Sequence, residues 1–334
     1  MSVQPKISIV MAVRDGAAHL YETLASLQAQ TLHDFELIVI DDGSKDETPA
    51  LLDGWQDRRM VRLRNPEPLG LAAALNQGIG LARGEYIARQ DADDLARPER
   101  LAVQAAFLDA HPDLVLLGSA YDVIGPGGDL LETQCQPEED RDIRWQMLFH
   151  NAFCHSSAML RRDMLNKNDL LYDTKLAYAQ DYDLWSRLLH FGKGANLAEP
   201  LIALRLHEAS MSAKAKPLQQ ETANQIAASK IESLLGAPQN MDSIRLLRSW
   251  YYGLPDSLPK EGAQALRLML RLLRVLASQA ERAKWAERIL RHPDAAWTSL
   301  APLLISLAPV ASLRALALRF LGRTVSLQKR VRPA

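Results

Sequence analysis

The chain has 334 residues, 48% of them hydrophobic and 24% charged, with a formal net charge of −1. That balance excludes a disordered protein, which carries less apolar residue and more unbalanced charge. Two cysteines, Cys135 and Cys154, with no CxxC or Cys/His cluster, exclude a disulfide scaffold and a structural zinc site, and the length predicts about two domains.

The apolar run Ile7–Val13 is too short for a signal-peptide core and lacks a small-residue cleavage site, so it predicts a first buried strand. Further strands are predicted over 35–40, 60–63, 85–89 and 114–119, alternating with helices over 17–30, 47–55, 71–82 and 98–109. Such alternation indicates a mostly parallel sheet with helices on both faces, its strand C-termini and their loops along one edge. Gly125-Pro126-Gly127-Gly128 predicts a turn inside a hairpin over 120–134. A helix over 141–149, a strand over 156–160, a helix over 182–190 and a strand over 201–206 follow. The 182–190 helix should point Leu184, Trp185, Leu188 and Leu189 inward. From Gln219 onward every pattern is helical. The expected organisation is an α/β domain over 1–212 and an all-α domain over 213–334.

No window reaches the roughly 18 clean apolar residues of a spanning helix. The nearest, 300–313, is broken by Pro302 and Pro309 and followed by Arg314, so the expected location is cytoplasmic. The net charge hides a polarity. Residues 211–334 carry 19 Lys and Arg against 8 Asp and Glu, whereas residues 1–210 carry 20 against 32. Arg267, Arg271 and Arg274 share a helical face beside Leu268, Met269, Leu272, Leu273 and Leu276. Such a helix either lies peripherally on an anionic membrane surface or belongs to an ordinary bundle with a basic solvent face. Without aromatic platforms or a known module the basic stretches do not predict nucleic-acid binding.

Ligands of parallel α/β sheets bind outside the C-terminal strand ends. Arg14-Asp15-Gly16 follows the first strand, so the GxGxxG dinucleotide fingerprint is absent. Asp41-Asp42-Gly43-Ser44 follows the second strand and Asp91-Ala92-Asp93-Asp94 the fourth, bringing five carboxylates to one edge. Crowded carboxylates need a cation or hydrogen-bond donors. If strand geometry persists, the i, i+2 spacing aims Asp91 and Asp93 the same way, as for Mg²⁺ or Mn²⁺ holding a diphosphate. Asp42 then accepts from a nucleobase N–H or a ribose hydroxyl. The bland alternatives are that residues 41–44 only turn the chain and that Asp94 only favours the start of the next helix.

ISIV at 7–10, DDGSKDET at 41–48, GLAAALNQGI at 70–79 and ARGEYIARQDADD at 82–94 occur in an order and spacing that resemble glycosyltransferase family 2, over about residues 5–210. The resemblance implies a GT-A fold, a nucleotide-sugar donor, a divalent metal, and inversion at the anomeric carbon. Matched position by position, it implies that Asp42 contacts the donor base, Asp91 faces the nucleotide, and Asp93 binds the metal. Ala12 would line the nucleotide pocket, with Arg14 and Asp15 beside it. The family's base sits in a Glu-Asp pair at a helix start, here Gln180-Asp181, making Asp181 the candidate base; Gln180 departs from the usual Glu. Asp181 as a simple helix cap is the alternative. His155 matches a family segment near the acceptor side, the alternative being a hydrogen-bonded structural residue, and Asp183 is structural or faces the acceptor. With Leu204 and Leu206 pointing inward, Arg205 and His207 would share the other face, Arg205 gripping phosphate and His207 completing the metal sphere. The expected reaction moves a hexose or N-acetylhexosamine to a glycan or lipid-linked acceptor in surface-polysaccharide assembly. The rival readings are a nucleotidyltransferase and a catalytically silent scaffold at the membrane.

Overall fold

A computed structural model describes residues 4–207, 216–251 and 262–275. The chain divides into two compact units, one of Met1–Ile143 with Asn151–Ala223, the other of Arg144–His150 with the chain from Asn224.

In the first unit, β1 (Ile7–Val13) and β2 (Phe35–Asp41) are buried at every position. Continuous burial, unlike the alternation of a one-sided sheet, requires helices on both faces. On one face Ile7, Ile9 and Met11 pack with Leu20, Leu24 and Leu27 of α1 (Ala17–Gln28) and with Leu101 and Leu108 of α4 (Arg100–Ala110). Each buried leucine contributes about 1.5–3 kcal/mol, as an upper estimate. On the opposite face α3 (Leu71–Leu81) approaches so closely that a Cβ at Gly78 would lie 2.6 Å from Val10 Cγ1.

The remaining elements are α2 (Thr48–Gly54), β3 (Met60–Arg64), β4 (Tyr86–Arg89), β5 (Leu95–Ala96), β6 (Leu114–Ile124), β7 (Leu130–Gln134), α5 (Asp140–Gln146), a 3₁₀ turn (His155–Ser157), β8 (Met159–Arg161), α6 (Arg162–Lys167), α7 (Gln180–Leu188) and β9 (Lys193–Arg205). The nine-stranded sheet has the order β3-β2-β1-β4-β8-β6-β9-β5, with β7 on β6. β1, β2, β3, β4, β6 and β9 run one way, while β5, β7 and β8 run against them. The strand order reverses at β1, because β2 and β3 build outward on one side and β4 returns on the other. β1 and β4 are parallel neighbours, so the loops after them lie side by side at the C-terminal edge of the sheet, where sheets of this kind bind ligands. Leu184, Trp185, Leu188 and Leu189 are buried as expected.

In the second unit Trp145, Leu148 and Phe149 share a core with α8 (Lys216–Leu235), α9 (Met241–Trp250) and α10 (Gly262–Val275). Arg248 is enclosed there: Nε donates to the Phe149 carbonyl at 2.6 Å, and Nη1 donates to Asn224 Oδ1. His150 Nε2 lies 2.9 Å from the Arg248 carbonyl and must donate to it; burial pushes its pKa down to about 4, so the ring is neutral.

Of the two alternatives for the helix carrying Arg267 and Arg271, the described residues fit the bundle. Leu268, Met269, Leu272 and Leu273 are buried in this core, leaving Arg267 and Arg271 exposed. The described part of α10 thus spends its apolar face inside the bundle instead of on lipid. The expected boundary at 212/213, Leu276, the side chain of Arg274 and the stretch 300–313 lie outside the described residues. Among the described residues no helix is long and apolar enough to cross a membrane.

Candidate active site

The loops after β1 and β2 are laced together. Asp15 adopts a left-handed φ of 52°, which aspartate tolerates because its short side chain bonds locally. Its N–H donates to Ser44 Oγ at 2.9 Å, and its Oδ1 accepts from the Lys45 N–H at 2.8 Å. The Gly16 and Ala17 amides donate to Thr48 Oγ1 and Asp46 Oδ2. Ala12 is buried in β1, and Arg14 stays exposed just beyond its end.

Asp42 is buried, and its carboxylate receives three donors. Asn65 Nδ2 and the Leu69 N–H reach Oδ1, and the Gly70 N–H reaches Oδ2, each at 2.8 Å. Asn65 is itself oriented by a reciprocal amide pair with Gln77. A carboxylate offers about four lone-pair sites, so one remains. Asp41 accepts from the Ser44 N–H and pairs with Arg64 at 3.3 Å. Residues 41–44 thus turn the chain and also fix both carboxylates.

Strand geometry does not persist through the acidic motif: β4 ends at Arg89, and residues 90–94 form a turn. Asp91 and Asp93 therefore diverge. Asp91 Oδ1 accepts from Arg89 Nη2, and Oδ2 accepts from Ser156 Oγ at 2.8 Å. Burial pushes its carboxyl up, but the Arg89 guanidinium, with the Ser156 hydroxyl, outweighs this and holds it below the usual carboxylate range. Asp93 Oδ2 lies 2.8 Å from His207 Nε2, both side chains partly exposed.

Asp94 does not serve the next helix. It is buried, with Oδ1 accepting from the Arg205 N–H at 2.9 Å and Oδ2 against Ser156 Oγ. Burial, then Asp91 and Asp93, push its pKa up to about 8. Ser156 has one proton and gives it to Asp91, while its lone pairs face the Asp91 N–H and Asp94 Oδ2. With Asp91 ionised beside Arg89, a protonated Asp94 donating to Ser156 satisfies all three contacts. The acidic crowd is tolerated because one carboxyl is neutral and another faces a buried arginine.

Arg205 overturns the expected alternation. Leu206 is exposed, and Arg205 is the enclosed residue, its side chain 1% accessible. Its guanidinium donates to Glu22, to the Pro126 carbonyl at 2.9 Å and to the Asp93 carbonyl at 3.2 Å. These partners make it an internal tether holding the end of β9 to the acidic turn, not a free phosphate grip. The neighbouring His19 ring stands 5.0 Å from that of His207, and burial together with Arg205 lowers its pKa.

Ala179 precedes α7 with a left-handed φ of 54°. Asp181 is the second residue of that helix; Oδ1 accepts from the Tyr182 N–H at 2.8 Å and Oδ2 from Asn151 Nδ2 at 2.7 Å. Burial raises its pKa against the Tyr182 hydrogen bond; Asp91 raises it further and Arg89 lowers it, so the acidic turn acts on it electrostatically. Asp183 pairs with Arg187 at 2.6 Å one turn along α7. His155 Nε2 faces Arg89 Nε at 3.0 Å and the Tyr172 hydroxyl at 2.9 Å. Since arginine only donates, Nε2 accepts and the proton sits on Nδ1. Burial, then Arg89, push the His155 pKa down to about 3, so it is a neutral link beneath the site.

Sequence reasoning missed Arg89, Ser156, Tyr172 and Asn151. The signal for Arg89 was a cation inside an otherwise apolar strand, two residues before Asp91. Ser156 and Asn151 offered none, since nothing local says which carboxylate a hydroxyl or an amide will meet.

Two donor atoms at Asp93 and His207 suit a divalent cation that completes its shell with substrate phosphate oxygens and water. Among the described residues no group of three or more His, Cys, Asp or Glu side chains is arranged to hold a metal by itself. The pair fits the cation only in company with substrate.

Solved structures share this architecture. TarS 1-349 of S. aureus, in complex with UDP-GlcNAc, aligns at a TM-score of 0.57 and 18% identity over 97% of this chain and 91% of that one. The mannosyltransferase PcManGT of Pyrobaculum calidifontis, with GDP-Man and Mn²⁺, aligns at 0.53 and 18% over 92% and 87%. They define the fold as the GT-A glycosyltransferase type. A glycosyltransferase of Haemophilus influenzae, itself uncharacterized, is 29% identical over 243 residues, 68% of this chain and 73% of that protein. The amylovoran biosynthesis glycosyltransferase AmsE of Erwinia amylovora is 31% identical over 190 residues, 56% and 70% respectively. The O-antigen biosynthesis glycosyltransferase WbnJ of Escherichia coli is 28% identical over 214 residues, 61% and 81%. The model of glycosyl transferase family 2 matches residues 8–168. This chain belongs to glycosyl transferase family 2 and is a glycosyltransferase.

Proposed function

We propose that the enzyme transfers a hexose or N-acetylhexosamine, with inversion, from a nucleoside-diphosphate sugar to a hydroxyl of a glycan or lipid-linked acceptor. The relatives named for amylovoran and O-antigen biosynthesis support a surface-polysaccharide product. The observation that carries the reading is Asp181 in the first turn of α7, its carboxylate oriented by Asn151 Nδ2 and the Tyr182 N–H, with burial and Asp91 raising its proton affinity. A base for a sugar hydroxyl needs that combination of orientation and basicity.

In this reading Ala12, Arg14 and Asp15 border the nucleotide, and the remaining lone pair of Asp42 accepts a base N–H. Asp91, kept ionised by Arg89, faces the ribose. Asp93 and His207 would hold Mg²⁺ or Mn²⁺. A bound cation supplies positive charge for the departing diphosphate. Asp181 takes the acceptor hydroxyl proton as that oxygen bonds to the anomeric carbon; the carbon–oxygen bond to phosphate breaks, and the diphosphate leaves with the electron pair. Attack from the opposite face inverts the centre.

The test is a panel of UDP-, GDP- and dTDP-sugars, with and without Mn²⁺, on wild type and Asp181→Asn. Metal-dependent turnover of at least one donor is expected. Asp181→Asn should lose transfer by 10²-fold or more, an order set by general-base catalysis, and keep the melting shift given by the nucleotide. Retained turnover in Asp181→Asn removes it as the base, and no turnover of any donor by wild type removes the donor reading.

A further inference from the structure

Asn76 on α3 and Tyr172 are paired across 96 residues of chain. Asn76 Nδ2 donates to the Tyr172 carbonyl at 2.8 Å, and the Tyr172 N–H donates to Asn76 Oδ1 at 2.9 Å. One side-chain amide thus satisfies both backbone groups of one residue, as a strand neighbour would. The contact opposes a slip in register, because shifting the loop by one residue leaves a partly buried donor and acceptor unmet. The Asn76 end is rigid, since its neighbours Leu75 and Ile79 are buried in the sheet-facing side of α3.

The Tyr172 end is held at two further points. Its hydroxyl lies 2.9 Å from His155 Nε2, and the preceding Leu171 carbonyl accepts from Arg187 Nη2 of α7 at 2.7 Å. The segment so pinned runs between Asp169, at a φ of 50°, and Ala179, at a φ of 54°. A non-glycine residue in the left-handed region is strained and persists only where its surroundings over-determine it. Ala179 has no polar side chain to compensate locally. Immediately after it α7 begins, with Asp181 in its first turn. Released from its pins, the segment would relax at Ala179 and turn the start of α7 with it.

We propose that Asn76 is a positioning residue for sugar transfer: by clamping Tyr172 it fixes the strained segment 169–179 and so the direction from which Asp181 meets the acceptor hydroxyl. This inference rests on Asp181 being the base. Asn76 itself touches no reacting atom, and its action is on placement, where an error near 1 Å costs on the order of 10²-fold in rate.

The experiment compares wild type with Asn76→Ala and with the isosteric Asn76→Asp, which keeps the acceptor for the Tyr172 N–H but sets a carboxylate against the Tyr172 carbonyl. Amide hydrogen exchange should rise over residues 168–182 in both variants and stay unchanged over β1 and β2. With the nucleotide sugar turned over fastest in the panel above, kcat should fall about 10- to 100-fold, with donor KM and the UDP or GDP melting shift within about twofold of wild type. Unchanged exchange over 168–182, a kcat within twofold of wild type in both variants, or a parallel loss of nucleotide binding would each overturn the proposal. The Asp181→Asn enzyme separates the two ideas. If it keeps turnover, the base reading fails; if it is dead while the Asn76 variants stay active, only the clamp fails.

Discussion

His207 Nε2 stands 2.8 Å from Asp93 Oδ2, although 114 residues separate them in sequence. The buried Arg205, two residues earlier, brings them together by tying β9 to the acidic turn. If this pair holds the catalytic cation, chelation with EDTA abolishes turnover and Mn²⁺ restores it. Loss of even an outer-sphere partner of a metal typically costs ten- to a hundredfold in affinity or activity. His207→Ala should therefore raise the Mn²⁺ concentration for half-maximal turnover by at least about tenfold. An unchanged Mn²⁺ titration would place the metal elsewhere.

The neutral Asp94 makes stability depend on pH in a direction opposite to an ordinary paired carboxylate. Its folded pKa of about 8 lies above the unfolded value of 3.8. Between those values the folded chain holds a proton that the unfolded chain has lost, so this group's contribution to stability falls as pH rises from about 4 to 8. Asp94→Asn mimics the protonated acid, with an amide to donate to Ser156 and an oxygen for the Arg205 N–H. The variant should melt above wild type, by a margin that widens from pH 4 to pH 8. Parallel melting curves across that range would show that Asp94 is ionised.

Arg100 is fully buried with no carboxylate at its guanidinium. It donates to Gln104 Oε1 at 3.1 Å, Gln90 Oε1 at 2.7 Å and the Arg89 carbonyl at 2.7 Å. Burial pulls its pKa down to about 9, the Arg89 charge adding to this. Gln90 in turn donates to the Asp91 and Asp94 carbonyls, so the network braces the acidic turn from below. Arg100→Leu leaves two amides and a carbonyl unmet and should destabilise the fold by about 3 kcal/mol, seen as a lower urea midpoint. A midpoint equal to wild type would show that water replaces the guanidinium.

Gly84 leads into β4 where the chain presses against β1. A Cβ there would lie 2.4 Å from the Ser8 amide nitrogen and 2.6 Å from the Ile7 carbonyl carbon, both backbone atoms that cannot swing aside. The Gly84 N–H also donates to Ser8 Oγ at 2.8 Å. Gly84→Ala should cost about 1–3 kcal/mol or more, reported by thermal melting. Because β1 and β4 carry the loops of the candidate site, it should also weaken nucleotide binding. A variant with wild-type Tm would mean that the two strands separate at no cost.

The elements carrying the candidate site were legible because their signals are local. Ile7–Val13 is a continuous apolar run, and 35–41, 60–64 and 71–81 carry periodicities that neighbouring residues complete. β9 was half hidden, since the stretch from Lys193 to Pro200 has no strand-like alternation and is held by pairing with β6. The inversion at Arg205 and Leu206 was illegible because the partner that lets an arginine be buried, Glu22, lies 183 residues away. At the site, Asp42, Asp91, Asp93 and Asp181 were marked by motif and spacing. What fixes their protonation was not: Ser156 reaches Asp91 and Asp94 across 65 and 62 residues. Charge type can be read along a chain, but charge state depends on neighbours that only the fold supplies.

The short segment Arg144–His150 leaves the α/β unit, contributes Trp145, Leu148 and Phe149 to the helical core, and returns. The polypeptide therefore enters that core twice, once in mid-chain and once near its end. No single cut divides the two units. A gene truncated after β9 would encode a glycosyltransferase domain displaying two bare aromatic rings and a leucine. Its poor behaviour in solution would then reflect that missing cover and not any fault in the catalytic fold.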